Sequence, residues 1–317
     1  MRAITKSLLS LSFSVAIAIA VPALAQEPPG GMPQPIPQTP PTHDFESHIG
    51  NLTGHADAGQ QDYRRWCIGC HGPYGDGNGE NAQWIDPKPR DFTAATFKCR
   101  STPTGTLPTD EDLFNAITRG FNTTNMPQWR PLTPQTRADL IAYVKTFSPR
   151  WKTEKPGTPI TITPESPVTM DSIARGKALF VKLECWKCHG PLGRADGPSA
   201  ATLTDSKDMP IKPYNFATGG RPMCGDKDSD IYRDFMTGLD GSPMPSFADQ
   251  LTPGAAWDLV HFLRTLQTDI PSKEREMVKA AGGKIPTVEA PAPPAAPAQS
   301  SNLTPQPDSS RMPSGGK

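Results

Sequence analysis

The sequence predicts an all-α fold in which one domain of about a hundred residues occurs twice in tandem. Internal repetition is the first observation behind this prediction. Four segments of the first half recur in the same order in the second: WCIGCHGPYG as ECWKCHGPLG, KPRDF as KPYNF, DEDLFNAITRG as DSDIYRDFMTG, and LTPQTRADLIAYVKTF as LTPGAAWDLVHFLRTL. Repetition on this scale indicates one structural unit present twice, and we place the two copies at 51–150 and 168–270.

Helical periodicity is the second observation. The last repeated segment has apolar residues at helical spacing in both copies: Leu140, Ile141, Val144 and Phe147, then Leu259, Val260, Leu263 and Leu266. Thr133 and Thr252 precede these runs, and each is followed by proline, which is typical of an N-cap and first helical position. The acidic residues from Asp110 and Asp228 onward predict the starts of shorter helices. Few runs alternate as a strand would, and the best, ITIT at 160–163, lies among prolines.

The segments around the two copies are predicted to be extended or disordered. Residues 1–25 have a basic start, an apolar run and a small-residue cleavage site, which is typical of a secretory signal peptide removed before Gln26. An uncleaved anchor is the alternative, although serines and Pro22 interrupt the run. Proline-rich linkers are expected at 26–50 and 151–167, and a disordered proline-rich tail at 271–317. We therefore expect a soluble periplasmic protein with no transmembrane segment after cleavage.

Charge and motifs exclude several classes of function. The 317 residues contain 32 basic and 32 acidic residues, so the formal charge is zero. A nucleic-acid-binding protein would have a basic excess. The sequence also lacks a nucleophile triad, a phosphate loop and a nucleotide-binding fingerprint.

Each copy contains the pattern Cys-x-x-Cys-His. The first is formed by Cys67, Cys70 and His71, and the second by Cys185, Cys188 and His189. On a short helix this spacing lets both thiols add to the vinyl groups of haem while the histidine binds the iron, and it is the attachment signal for c-type haem. The sequence therefore predicts two covalently attached haem c groups.

A methionine follows each motif at the same offset. Met126 and Met244 each lie 55 residues after the motif histidine, and proline follows both. Proline holds an extended loop that cannot join a helix. A thioether on the second face of the iron raises the reduction potential of a haem. We therefore predict His71 and Met126 as the ligands of one iron, and His189 and Met244 as those of the other.

Other chemistry is available to cysteine pairs. A redox dithiol is one alternative, but it is expected in a βαβ setting that this sequence lacks. A zinc site made by both pairs is another, but it would require two complete repeats to share ligands.

On these motifs each half resembles a single-haem cytochrome c domain, and the pair resembles the tandem di-haem cytochromes c. The resemblance covers about 200 residues. It implies that a glycine and an aromatic residue of the first helix pack against an aromatic residue of the last. These are Gly59 and Tyr63 against Tyr143, and Gly176 and Phe180 against Phe262. The K-P-x-x-F segments and the loop at 74–110 are additions to the minimal domain.

Two cysteines remain outside the motifs. Cys99 and Cys224 lie seven and eight residues after the phenylalanine of K-P-x-x-F, so they occupy equivalent places. Equivalent residues meet near a two-fold axis, and an exported protein is exposed to oxidation. A disulfide that joins the two halves is therefore predicted, whereas a thiolate ligand to iron, free thiols or a bond to another chain are alternatives.

Two functions remain open. An exported electron carrier would pass electrons from a respiratory dehydrogenase or quinol-oxidising complex to a terminal oxidase or reductase. An enzyme acting on a small inorganic anion, such as a sulfur oxyanion, would need one open or thiolate-ligated haem. The complete ligand set in both halves favours the carrier. Other side chains are interpreted as structural: His43, His48 and His55 as solvated linker, His261 as a partly exposed helix residue, and Trp66, Trp129, Trp186 and Trp257 as pocket or packing groups.

Overall fold

A computed structural model describes residues 45–294. The predicted signal peptide, most of the first linker with His43, and the end of the predicted tail lie outside the described residues. Within 45–294 the fold is mainly helical, as predicted, and the only paired strands described there form a short hairpin. None of the helices in this range is both long and apolar enough to cross a bilayer.

The first half begins with the hairpin and continues with five helices. The elements are β1 Glu46–Ile49, β2 Leu52–His55, α1 Ala56–Trp66, α2 Ile68–His71, α3 Asp110–Arg119, α4 Pro134–Lys145 and α5 Arg150–Thr153. A 3-10 turn at Ala82–Trp84 interrupts the long loop between α2 and α3. The second half repeats the helices as α6 Met170–Lys182, α7 Trp186–His189, α8 Asp228–Thr237 and α9 Pro253–Leu266, and then adds α10 Lys273–Ala280.

The predicted helix starts are confirmed. The hydroxyl of Thr133 accepts a hydrogen bond from the backbone N–H of Thr136, and that of Thr252 accepts one from Ala255. Proline occupies the first turn of α4 and α9. These caps satisfy backbone donors that have no partner inside the helix.

In each half the first and last long helices cross closely at a glycine. A Cβ atom on Gly59 would lie 2.0 Å from the carbonyl oxygen of Asp139, and one on Gly176 would lie 1.9 Å from that of Asp258. The rings of Tyr63 and Tyr143 are 5.2 Å apart, and those of Phe180 and Phe262 are 5.3 Å apart. The packing implied by the family resemblance is therefore present in both halves, because only glycine allows this approach.

The hairpin departs from the expected linker at 26–50. Its strands pair antiparallel, with Glu46 opposite His55. The hairpin packs on α4, where the hydroxyl of Ser47 donates to the carbonyl oxygen of Ala138 over 2.7 Å. Packing against a helix stabilises a hairpin too short to be stable alone. His48 and His55 remain exposed on it, as expected.

Helix α10 departs from the expected tail at 271–317. The hydroxyl of Ser272 accepts from the backbone N–H of Arg275 and caps the helix. Met277 and Val278 pack against the core of the second half. Burial of one apolar face thus stabilises a helix of eight residues.

The two halves are joined by a covalent bond and by buried polar contacts. Cys99 and Cys224, the pair singled out in the sequence, form a disulfide with their Cα atoms 5.2 Å apart. The adjacent Arg100 is only 1% exposed. Its guanidinium donates to the carbonyl oxygen of Thr237 over 2.7 Å and forms an ion pair of 2.8 Å with Asp240. The side chain of Asp240 also accepts from the hydroxyl of Thr104.

Candidate haem sites

Short helices position each cysteine pair and its histidine. In the first half the backbone N–H of Cys67 still donates to Tyr63, and that of His71 donates to Cys67 over 2.9 Å, so the motif continues the line of α1 for one turn. In the second half His189 donates to Cys185 over the same distance. All four thiols of the two motifs are free. Each motif therefore presents two thiols and an imidazole from a single helical turn.

One cavity in the first half brings the predicted group together. Cys67, Cys70, His71 and Met126 all line it. Its walls are largely apolar, and they include Trp66 and Trp129, whose rings lie 5.9 Å apart. An apolar cleft with a few directed polar groups is typical of a cofactor site.

In the second half Met244 and Cys185 pack against the same apolar core. Trp186 packs there as well, and Trp257 is buried with its indole N–H donating to the carbonyl oxygen of Thr163. All four tryptophans therefore have the pocket or packing roles expected from the sequence.

The K-P-x-x-F segments orient the two histidines. Nδ1 of His71 lies 3.0 Å from the carbonyl oxygen of Arg90, and Nδ1 of His189 lies 2.9 Å from that of Tyr214. A carbonyl only accepts, so Nδ1 carries the hydrogen and Nε2 keeps its lone pair for a metal. Phe92 stacks on His71 at 4.4 Å, and Phe216 lies 5.0 Å from His189. These segments were predicted only as additions to the minimal domain, and their recurrence in both halves is the sequence signal of this role.

Burial sets the protonation state of these groups. It lowers the pKa of both His71 and His189, against the effect of the backbone hydrogen bonds, and so favours the neutral imidazole that binds metals. Burial also raises the pKa of Cys67 and of Cys185 to about 12. A redox dithiol needs a lowered thiol pKa, so this environment is opposite to the one that reactive dithiols require.

The two methionine loops have the same construction. The carbonyl oxygen of Met126 accepts from Phe121 and that of Met244 from Leu239, both over 3.1 Å. A hydroxyl two residues earlier accepts from each methionine N–H, at 3.1 Å from Thr124 and 3.3 Å from Ser242. Proline follows the methionine in both cases. The backbone hydrogen bonds and the proline together fix the position of the backbone from which each methionine side chain extends.

These residues fit a covalently bound haem better than the alternatives. The apolar cavity, the free thiols and the free Nε2 of His71 match the needs of a c-type haem. Within 45–294 no three His, Cys, Asp or Glu side chains form a group that could hold a metal ion, so the shared zinc site is not formed. The disulfide occupies Cys99 and Cys224, which removes the thiolates of the other alternative.

One interpretation from the sequence is wrong. His261 is not partly exposed but fully buried. Its Nδ1 lies 2.8 Å from the hydroxyl of Ser172, and its Nε2 lies 3.5 Å from Glu165. Ser172 belongs to α6 and Glu165 to the linker at 151–167, so the packing of these segments on α9 buries the ring. Helix α10 also packs on α9, where the sequence predicted a disordered tail.

Known families and structures match both halves. Residues 173–267 match the family model of cytochrome c, and residues 54–144 match that of cytochrome c oxidase, cbb3-type, subunit III. No curated protein matches the chain. A chain of the Kuenenia stuttgartiensis reducing HAO-like protein complex Kustc0457/Kustc0458 is 40% identical, with a TM-score of 0.65. The match covers 67% of this chain and 96% of that one. The chain therefore belongs to the cytochrome c family and carries two cytochrome c domains in tandem.

Proposed function

We propose that this protein is an exported electron carrier with two covalently bound haem c groups, each held by histidine and methionine. The observation that carries the proposal is the single cavity lined by Cys67, Cys70, His71 and Met126. The second half repeats the backbone carbonyl that binds the histidine and the loop that holds the methionine. The proposal therefore extends to Cys185, Cys188, His189 and Met244. When bound, haem supplies reversible one-electron chemistry at iron.

The residues of the chain contribute attachment, ligation and burial. The thiols of each motif would attach the haem, and the histidine Nε2 and the methionine thioether would hold its iron. A thioether ligand would raise the reduction potential, and with both ligands in place the iron would not bind a substrate. The bond between Cys99 and Cys224 argues against the thiolate-ligated form of the enzyme alternative. The methionine in each half argues against its open-haem form, so the carrier is favoured.

The partners are proposed to be redox proteins, and the location to be the periplasm. One similar chain belongs to a reducing HAO-like protein complex. We propose by analogy that this protein exchanges electrons with the haem or other redox centre of a larger assembly. The signal peptide predicted at 1–25 supports secretion.

Single methionine variants of the holoprotein test the ligands. Met126→Ala and Met244→Ala should each remove about half of the weak long-wavelength band of methionine bound to iron(III). Each should also lower one of two steps in a potentiometric titration. Met209→Ala is the matched control, because Met209 is 45% exposed and belongs to neither methionine loop. Intact mass should show two haem groups per chain, and a band that survives both variants would contradict the ligand assignment.

A further inference from the structure

The charge of the first cavity is unbalanced. Three cationic side chains line it, those of Lys88, Arg90 and Lys98, and no acidic side chain lines it. The ammonium of Lys88 already donates to the carbonyl oxygen of Ala82 over 2.7 Å. Among the described residues, neither the guanidinium of Arg90 nor the ammonium of Lys98 makes a hydrogen bond or an ion pair.

The acidic residues near Arg90 favour its charge from a distance, but each has hydrogen-bond partners other than Arg90. Asp91 binds Lys207 over 2.7 Å, and Asp240 binds Arg100. Asp205 accepts from the backbone N–H groups of Lys207 and Met209. Burial, together with the positive charge of Arg90, lowers the pKa of Lys98 to about 8. A partly buried cation without a partner is unfavourable unless a bound anion compensates it.

Haem brings two such anions, because each macrocycle carries two propionate carboxylates. Arginine and lysine form strong charge-assisted hydrogen bonds with carboxylates. We propose that Arg90 and Lys98 bind the propionates of the first haem, and that they make this haem the one with the higher reduction potential. The inference rests on the proposed function, since it requires a haem in each half.

The second half lacks this cationic pair. In the repeat, Tyr214 stands where the first half has Arg90, and Met223 stands where it has Lys98. The hydroxyl of Tyr214 donates to the carbonyl oxygen of Gly220 over 2.6 Å. Met223 crosses between the halves and lines the first cavity instead.

The difference in charge sets the sign of the effect. Reduction adds one negative charge to a haem, so a nearby cation favours the reduced form. With the same predicted ligands on both irons, the first haem therefore has the higher potential.

Variants at two lining positions test the proposal in opposite directions. Lys98→Met, which copies the second half, should lower the higher step of the potentiometric titration. Met223→Lys should raise the same step by adding a cation to the first cavity. We expect about a tenfold change in the ratio of reduced to oxidised haem at fixed potential, which is about 59 mV for one electron. Lys98→Arg keeps the charge and is the control, with little change expected. Arg90→Gln offers a second cation deletion that keeps the backbone carbonyl for His71.

Ligand replacement assigns the two steps. Met126→His should move only the higher step and Met244→His only the lower one. If both variants move single steps but Met126→His moves the lower step, the propionate proposal is overturned while the carrier proposal stands. If neither variant moves a step, the proposed ligands themselves are wrong. Equal effects of Lys98→Met and Lys98→Arg would also overturn the role of charge.

Discussion

Replacing Gly176 with alanine tests the close crossing of α6 and α9 in the second half. The new Cβ would lie 1.9 Å from the carbonyl oxygen of Asp258, which is part of the backbone and cannot rotate away. To reach even 3.0 Å the two helices must separate by about 1.1 Å. That movement also loosens the contact between Phe180 and Phe262.

The expected magnitude follows from these contacts. Overpacking of a core typically costs about 1–3 kcal/mol, and a weakened aromatic pair costs about 1 kcal/mol more. The higher helix propensity of alanine offsets about 1 kcal/mol of this loss in stability. We therefore expect Gly176→Ala to lower the free energy of unfolding by about 1–3 kcal/mol.

Gly254→Ala is the matched control on the facing helix. Nothing lies within 4 Å of a Cβ at Gly254, so this variant should be neutral or more stable by up to about 1 kcal/mol. Urea denaturation of the holoprotein, followed by far-ultraviolet circular dichroism, gives both values. Equal stability of the two variants would refute the claim that the crossing requires glycine.

Two further predictions concern the interface and the buried histidine. Replacing both Cys99 and Cys224 with serine opens a loop of 125 residues. Because the unfolded chain gains conformational entropy, we expect the free energy of unfolding to fall by about 4–5 kcal/mol. A urea midpoint equal to that of the wild type would contradict this expectation. Burial lowers the pKa of His261, and the positive charge of Lys273 lowers it further, whereas the acidic groups around the ring raise it by a smaller amount. Those acidic groups are Glu165, Glu274 and Asp258. The unfolded chain then binds more protons than the folded one, so the stabilisation is present above about pH 6.5 and is lost as the pH falls below it. His261→Gln should flatten this part of the stability curve, whereas the exposed control His48→Gln should leave it unchanged.

The sequence was sufficient for features that are encoded locally. Thr133 and Thr252 cap their helices through their own side chains, so residue type and the following proline predicted both. The cysteine pairs could be interpreted from the sequence as well, because the chemistry of haem attachment fixes their spacing. Repetition strengthened every such prediction by showing it twice.

Features that depend on backbone groups far away in the sequence could not be predicted. The acceptor for His71 is the carbonyl oxygen of Arg90, and every residue has a carbonyl, so residue type gives no signal for it. Helix α10 forms because its apolar face is buried, whereas its composition and length argue against an independent helix. The burial of His261 involves Ser172 and Glu165, which are distant from it in sequence, so the pattern of α9 alone did not predict it.

The position of Arg100 bears on whether either half is autonomous. Its guanidinium binds the carbonyl oxygens of Thr237 and Gly238, directly before Leu239, whose N–H closes the loop of Met244. The first half therefore anchors the base of a loop that belongs to the second. Gly225 stands at the equivalent place and has no side chain to return the contact. The second unit, expressed without the first, would therefore lose the anchor of its own methionine loop.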